Sequence, residues 1–168
     1  MKNLLLMRHS KAEKVPDKDD FDRQLTERGR HDAAIMGQLI GKYPLVPEVL
    51  ISSSAKRALE TAEIVAKACG YPHKLQLEDE FYLCQSLTIL NGLTKLPAEI
   101  NTAMVVFHNP TLEELTADMT ADSKLNAELA TSSLVYLQVY TRDWAKVKNV
   151  PSVMKWVLTP KILRQYDS

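Results

Sequence analysis

The sequence predicts an α/β fold: a three-layer sandwich with a mostly parallel central sheet of about six strands and helices on both faces. Three observations carry that expectation. Apolar runs at residues 4–7, 49–52 and 103–107 lack polar alternation, as strands covered on both faces do. Between them lie stretches of helical period, such as Ala58, Ala62, Val65 and Cys69 at i, i+4, i+7 and i+11. The 168 residues, 45% hydrophobic and 25% charged, suit one soluble domain spanning 1–168, with no internal repeat or linker.

Taken in order, residues 4–7 form the first strand. Residues 10–24 are polar and aspartate-rich and contain Pro16, which makes them a loop longer than a plain connector needs. Thr26 then caps a helix whose apolar positions include Ala33, Met36 and Ile40, with Pro44 beyond its end. Residues 49–52 give the second strand, and Ser53 or Ser54 is expected to cap the next helix. Gly70 stands at that helix's C-terminal stop, followed by Pro72. Residues 75–77 make a short strand and 86–96 a helix. Residues 103–107 are a buried strand. Asn109 is expected to cap a helix with Pro110 at its first position and Glu113 and Glu114 in its first turns. Residues 134–140 and 153–158 supply two closing strands.

Composition narrows the function classes. Lys plus Arg and Asp plus Glu each number 21, so the formal net charge is zero, which argues against a nucleic-acid partner. Two cysteines, Cys69 and Cys84, have no metal-ligand spacing and are too few for a disulfide scaffold. No metal site or cofactor is expected. No run approaches the roughly 18 apolar residues of a membrane span. The four-residue run 4–7 is short of the roughly 7–15 of a signal sequence. The expectation is therefore a cytoplasmic protein with no membrane partner.

In open α/β sheets ligands sit outside the carboxyl ends of the strands. The first strand ends in Arg8-His9 and the 103–107 strand leads into His108-Asn109. Arg57 lies one turn into the helix after the second strand. Two imidazoles and two guanidiniums, far apart in sequence, should thus meet at one sheet edge. Guanidinium suits phosphate oxygens, a neutral imidazole is a nucleophile, and helix N-termini add backbone donors. The pattern reads as a phosphate pocket with an imidazole inside it.

These residues also carry a family resemblance. Leu6-Met7-Arg8-His9-Ser10 resembles the "RHG" signature of the histidine phosphatase (phosphoglycerate-mutase-like) superfamily. Lys11-Ala12-Glu13 with Asp22-Arg23-Gln24-Leu25-Thr26-Glu27-Arg28-Gly29-Arg30 resembles the "RHAKAE…DRPLTERGRR" pattern of its short SixA-type phosphohistidine phosphatase branch. The run Ser52 through Ala62 resembles "SSPAxRAxETA", Phe107-His108-Asn109-Pro110 resembles "GHNP", and Trp156 through Pro160 resembles the closing strand and "TP". These motifs come in the family's order across nearly the whole chain.

The resemblance implies a phosphoglycerate-mutase-like fold and a metal-independent phosphatase. His9 would take the phosphoryl group as a transient phosphohistidine, Arg8 and Arg57 would bind its oxygens, and His108 would complete the pocket. Ser10 and Asn109 are expected to help bind substrate. Ser10, Gln24 and Ser54 depart from the family's Gly, Pro and Pro. Phe107 replaces the Gly before His108 and is expected to put a large ring beside the pocket. Larger members carry a general acid after the third strand, and Glu80 is the candidate here. An imidazole leaving group, with a pKa near roughly 6.5, needs such an acid less than an alkoxide does. The span 71–102 holds little beyond a short strand and one helix, so no large insertion covers the pocket. An uncovered site suits a phosphohistidine on a partner protein. A phosphomonoesterase acting on a small phosphorylated metabolite, or a catalytically silent phosphate-binding module, is the alternative.

Overall fold

The structure, a computed structural model, describes residues 1–121 and 128–163. Its sheet has six strands: β1 (Lys2–Arg8), β2 (Val49–Ser53), β3 (Gln76–Glu78), β4 (Thr102–Phe107), β5 (Leu134–Val139) and β6 (Ser152–Leu158). Their order across the sheet is β3-β2-β4-β1-β5-β6. The pairs β1·β4, β2·β4 and β2·β3 are parallel, and β5 runs antiparallel to both β1 and β6.

Strand alternation sorts the side chains of β1 and β4 onto two faces. Leu4, Leu6, Ala103, Val105 and Phe107 face one core, which α3 (Ser86–Leu93) covers with Ile89 and Leu93, and α4 (Thr111–Thr120) with Leu112, Leu115 and Met119. Trp144 is fully buried there and donates from Nε1 to the Ile100 carbonyl at 2.8 Å. Leu5, Met7, Met104 and Val106 face the other core, beneath α1 (Glu27–Lys42) and α2 (Lys56–Cys69). Helices therefore cover both faces. A last short helix, α5 (Pro160–Leu163), packs against α1.

Thr26 caps α1, its hydroxyl accepting from Gly29 N at 3.0 Å, and Gly70 ends α2 in the left-handed conformation with φ 73°. Two expected caps differ. The N-cap of α2 is Ala55, with no side-chain capping bond, because Ser53 still belongs to β2 and its hydroxyl is taken by His108. The N-cap of α4 is Pro110. Asn109 instead turns its amide to Glu113 Oε1 at 2.6 Å and the Leu129 carbonyl at 3.0 Å.

The helices α1 and α2 touch closely because Gly37 presents no side chain. A Cβ there would lie 2.6 Å from Ala68 Cβ and 2.8 Å from the Val65 carbonyl oxygen. Gly37→Ala should gain about 1 kcal/mol of helix propensity but lose about 1–3 kcal/mol to overpacking against backbone. The expected result is a lower Tm in thermal unfolding; a raised Tm would mean the helices can separate freely.

Candidate active site

The β1–β4 register pairs Arg8 with Phe107, so the next residue of each strand, His9 and His108, emerges side by side at the carboxyl edge. The two rings stand 5.1 Å apart between centroids. On the far side of β4, the end of β2 brings Ser53 Oγ to 2.9 Å from His108 Nε2. The helix that follows β2 then delivers Arg57, whose Nε lies 3.2 Å from His9 Nε2. Arg8 lines the same cavity as His9 and Arg57 and donates from Nη1 to the Leu129 carbonyl at 2.6 Å. The structure thus brings His9, His108, Arg8 and Arg57 together.

The His9 ring is oriented by its own neighbour. Nδ1 lies 2.8 Å from the Ser10 carbonyl oxygen. A carbonyl only accepts, so Nδ1 carries the hydrogen and Nε2 holds the lone pair. That carbonyl is fixed in turn: Ser10 N donates to Thr61 Oγ1 at 3.0 Å, and the buried Ser10 hydroxyl accepts from Ser132 Oγ at 2.6 Å. Ser10 therefore holds the nucleophile candidate from behind, with its hydroxyl turned to Ser132.

Electrostatics keep both imidazoles neutral. Burial first, then repulsion from His108, Arg57 and Arg8, pushes His9 down to about 3 against the opposing Ser10 hydrogen bond. Burial and then Arg57 push His108 down to about 4. Two buried nitrogens at the site, Arg8 Nε and His108 Nδ1, have no hydrogen-bond partner among the described residues. Buried polar nitrogens without partners call for an explanation, and an oxyanion would supply an acceptor for each that carries hydrogen.

Two residues that sequence reasoning missed complete the site. Asp20, in a 3₁₀ turn (Asp20–Asp22) of the long loop, accepts at Oδ2 from Arg57 Nη2 and from Tyr82 Oη, each at 2.9 Å. Its Oδ1 accepts from Arg23 Nη1 at 2.8 Å. Its backbone carbonyl accepts from Arg57 Nη1 at 2.5 Å. Burial alone would raise its pKa, but the Arg23 and Tyr82 hydrogen bonds and the Arg57 charge outweigh that and hold it at about 2. The Tyr82 ring packs edge-on against His108 at 5.7 Å and against Phe21 at 5.1 Å. The aspartate's position in the DFDR stretch, just before an arginine of the recognised pattern, was the available signal. Tyr82 carried none.

Other expectations resolve differently. Phe107 does not sit beside the pocket: alternation along β4 turns its ring into the α3/α4 core, where it is fully buried. Glu80 lies exposed in a 3₁₀ turn (Asp79–Phe81) and makes no hydrogen bond or ion pair with the described residues. The wall over His108 comes from Tyr82 and the 10–24 loop. Among the described residues, no three His, Cys, Asp or Glu side chains converge as a metal site, and no helix is long and apolar enough to cross a membrane.

Comparison with known proteins agrees with this geometry. Residues 4–82 match the model of the histidine phosphatase superfamily (branch 1), a stretch that contains Arg8, His9 and Arg57. The fold is similar to SixA from Agrobacterium tumefaciens, with a TM-score of 0.81 and 27% identity over 95% of this chain and 98% of that one. It is also similar to the protein histidine phosphatase SixA complexed with tungstate, with a TM-score of 0.83 and 21% identity over 96% and 99% of the two chains. An uncharacterized protein of Mycobacterium leprae is 25% identical over 147 residues, 81% of this chain and 89% of that relative. Motif order, pocket geometry and these likenesses agree on a hydrolase of the histidine-phosphatase type, the superfamily whose model residues 4–82 match.

Proposed function

We propose that the protein removes the phosphoryl group from phosphohistidine on a partner protein, with His9 as nucleophile. The observation that carries the nucleophile assignment is the Nδ1–H bond from His9 to the Ser10 carbonyl, which leaves the Nε2 lone pair facing Arg57. In the first step that lone pair attacks phosphorus. The substrate imidazole, protonated on its second ring nitrogen, takes the P–N electron pair and departs neutral. In the second step a water oxygen adds to phosphorus, Nε2 recovers its electron pair, and the water's proton leaves with phosphate or solvent. Phosphohistidine plus water becomes histidine plus phosphate.

Arg8 and Arg57 are the proposed clamps on the equatorial oxygens, where fixed charge contributes most to phosphoryl transfer. Ser53 Oγ accepts from Ala55 N at 3.4 Å and has its proton free for His108 Nε2. His108 Nδ1 then offers its hydrogen to the same oxygens. Asp20 grips Arg57 from the outer side and so positions it.

The proton balance favours this substrate class. Asp20 is held ionised and cannot hand a proton to a leaving group at neutral pH. Glu80 is exposed and makes no hydrogen bond or ion pair with the described residues. An alkoxide would need such a proton, whereas a protonated imidazole carries its own. The likeness to SixA proteins supports the same choice. A cavity of about 510 Å³ also fits a small phosphorylated metabolite, the rival reading.

His9→Ala should lower phosphate release from a phosphohistidine protein by about 10³-fold or more. Rapid quenching of the wild type in alkali should trap an acid-labile phosphoryl group on residue 9. Unchanged turnover would remove His9 from the mechanism. Preference for one sugar phosphate with none for phosphohistidine would establish the rival.

The depressed imidazoles give a second expectation. A base whose pKa is lowered by folding binds fewer protons folded than unfolded. Stability therefore holds above the ordinary histidine value near roughly 6.5. It declines on acidification toward the folded values of about 4 and about 3. Ring-proton NMR should show His9 and His108 still neutral at pH 5. Tm should fall between pH 6.5 and pH 4. Protonation of either site ring near the ordinary histidine value of roughly 6.5 would contradict their burial.

A further inference from the structure

The cavity that opens on His9 does not end with the groups that would hold a phosphoryl unit. Beyond Arg8 and Arg57 its wall continues with Lys11, Lys14 and Arg23 from the long loop, Arg28 from α1 and Lys161 from α5. Asp32 is the one carboxylate lining it among the described residues. The chain as a whole is neutral, so this is a local concentration of positive charge at the site mouth. His108 packs against Tyr82 and is not part of that basic wall. A substrate seated on His9 therefore has its remaining atoms on the basic side.

The wall is built. The Lys11 carbonyl accepts from Thr26 N at 2.9 Å and Thr26 Oγ1 at 3.1 Å, at the start of α1. Gly29 makes that approach possible, since a Cβ there would lie 2.2 Å from the Lys11 oxygen. The loop is closed into a ribbon by the Ala12–Leu25 bridge, by Glu13 N donating to the Gln24 carbonyl at 2.9 Å, and by Arg23 Nε donating to the Glu13 carbonyl at 2.7 Å. Arg23 pairs with Asp20, and Arg28 Nε stands 3.9 Å from Asp32 Oδ2. Lys11, Lys14 and Lys161 are exposed and make no ion pair with the described residues.

We propose that this basic groove is a subsite for an acidic polypeptide segment flanking the phosphorylated residue, with Lys11, Lys14 and Lys161 as its charge-reading side chains. The inference deepens the phosphohistidine-protein reading and rests on it. A small bisphosphate would call for further buried, forked guanidiniums. Among the described guanidiniums of the pocket only Arg57 is buried; Arg8 and Arg23 are half-buried, and Arg23 is already held by Asp20 and the Glu13 carbonyl, while Arg57 and Arg8 serve the reacting phosphoryl group. Exposed ammonium groups on flexible stems instead suit the mobile carboxylates of a protein surface. A nucleic-acid strand is disfavoured because, among the described residues, no Phe, Tyr or Trp lines the groove to stack on bases.

The test uses the full chain and a triple variant, Lys11→Ala with Lys14→Ala and Lys161→Ala, whose fold is checked by circular dichroism. Two chemically phosphorylated phosphohistidine peptides are compared, one flanked by Asp and Glu, one by Ser and Asn. In the wild type the acidic peptide should show a kcat/KM at least about ten-fold higher, as expected for several exposed charge pairs acting together. The advantage should lie in KM and shrink in 0.5 M salt, as screening requires (a Debye length of roughly 3–10 Å at such strengths). In the variant it should collapse toward unity. An unchanged preference in the variant, or none in the wild type, overturns the proposal. Fluorescence anisotropy with a labelled, unphosphorylated acidic peptide separates the two readings. Lysine-dependent binding without turnover of either peptide would sink the phosphohistidine reading while sustaining the groove; turnover of both without such binding would do the reverse. Inorganic tripolyphosphate or an oligonucleotide outcompeting the acidic peptide would also overturn the choice of occupant.

Discussion

The parallel pairing of β1 with β4 is the constraint from which the site follows. Because Arg8 is in register with Phe107, the chain leaves both strands at the same height, and two histidines distant in sequence become neighbours. His9 N donates to the Phe107 carbonyl at 2.9 Å, which extends the ladder one step past the strand ends and fixes the first ring's backbone. A slip of one residue would turn one of the two side chains to the opposite face. The same slip would expel Leu6 or Val105 from the core, so apolar burial and catalytic geometry enforce the same alignment.

Burial then sets the chemistry. An imidazole in water near neutrality is partly protonated and partly blocked as a nucleophile. Here the surroundings are short of water and rich in guanidinium, and both disfavour adding another positive charge. The ring stays neutral, with its free electron pair directed by a carbonyl behind it. Positive charge that discourages protonation also attracts a phosphoryl dianion, so one electrostatic arrangement serves both ends. The antiparallel β5 contributes too. Its amino end lies at this edge, where the Ser133 carbonyl accepts from Arg8 N at 3.0 Å and Ser132 N donates to the His9 carbonyl at 3.2 Å.

Much of this was legible in the sequence, for physical reasons. Strands buried on both faces produce unbroken apolar runs, and β1, β2 and β4 were found that way. Helix α1 announced itself through Thr26, and α2 through its apolar stripe and Gly70. The convergence of His9, His108, Arg8 and Arg57 followed from the rule that parallel strands present ligands at their carboxyl ends. The misses share another origin. Ser53, Asn109 and Phe107 were assigned roles from local pattern, while their tertiary neighbours decided what each one does. Ser53 serves His108, Asn109 serves Glu113 and Leu129, and Phe107 serves the core. Asp20 and Tyr82 meet across 62 positions without any periodicity to connect them.

The ribbon formed by residues 10–25 carries two duties on one short piece of backbone. Through Asp20 it steadies the Arg57 guanidinium beside His9, and it also bears Lys11 and Lys14 on the cavity wall. On the proposed roles, insertion, deletion or recombination in that ribbon would alter turnover and substrate choice together, while the sheet beneath stayed intact. Divergence within this scaffold would then be coupled: a descendant adopting a new substrate through this segment would also have to retune its own rate.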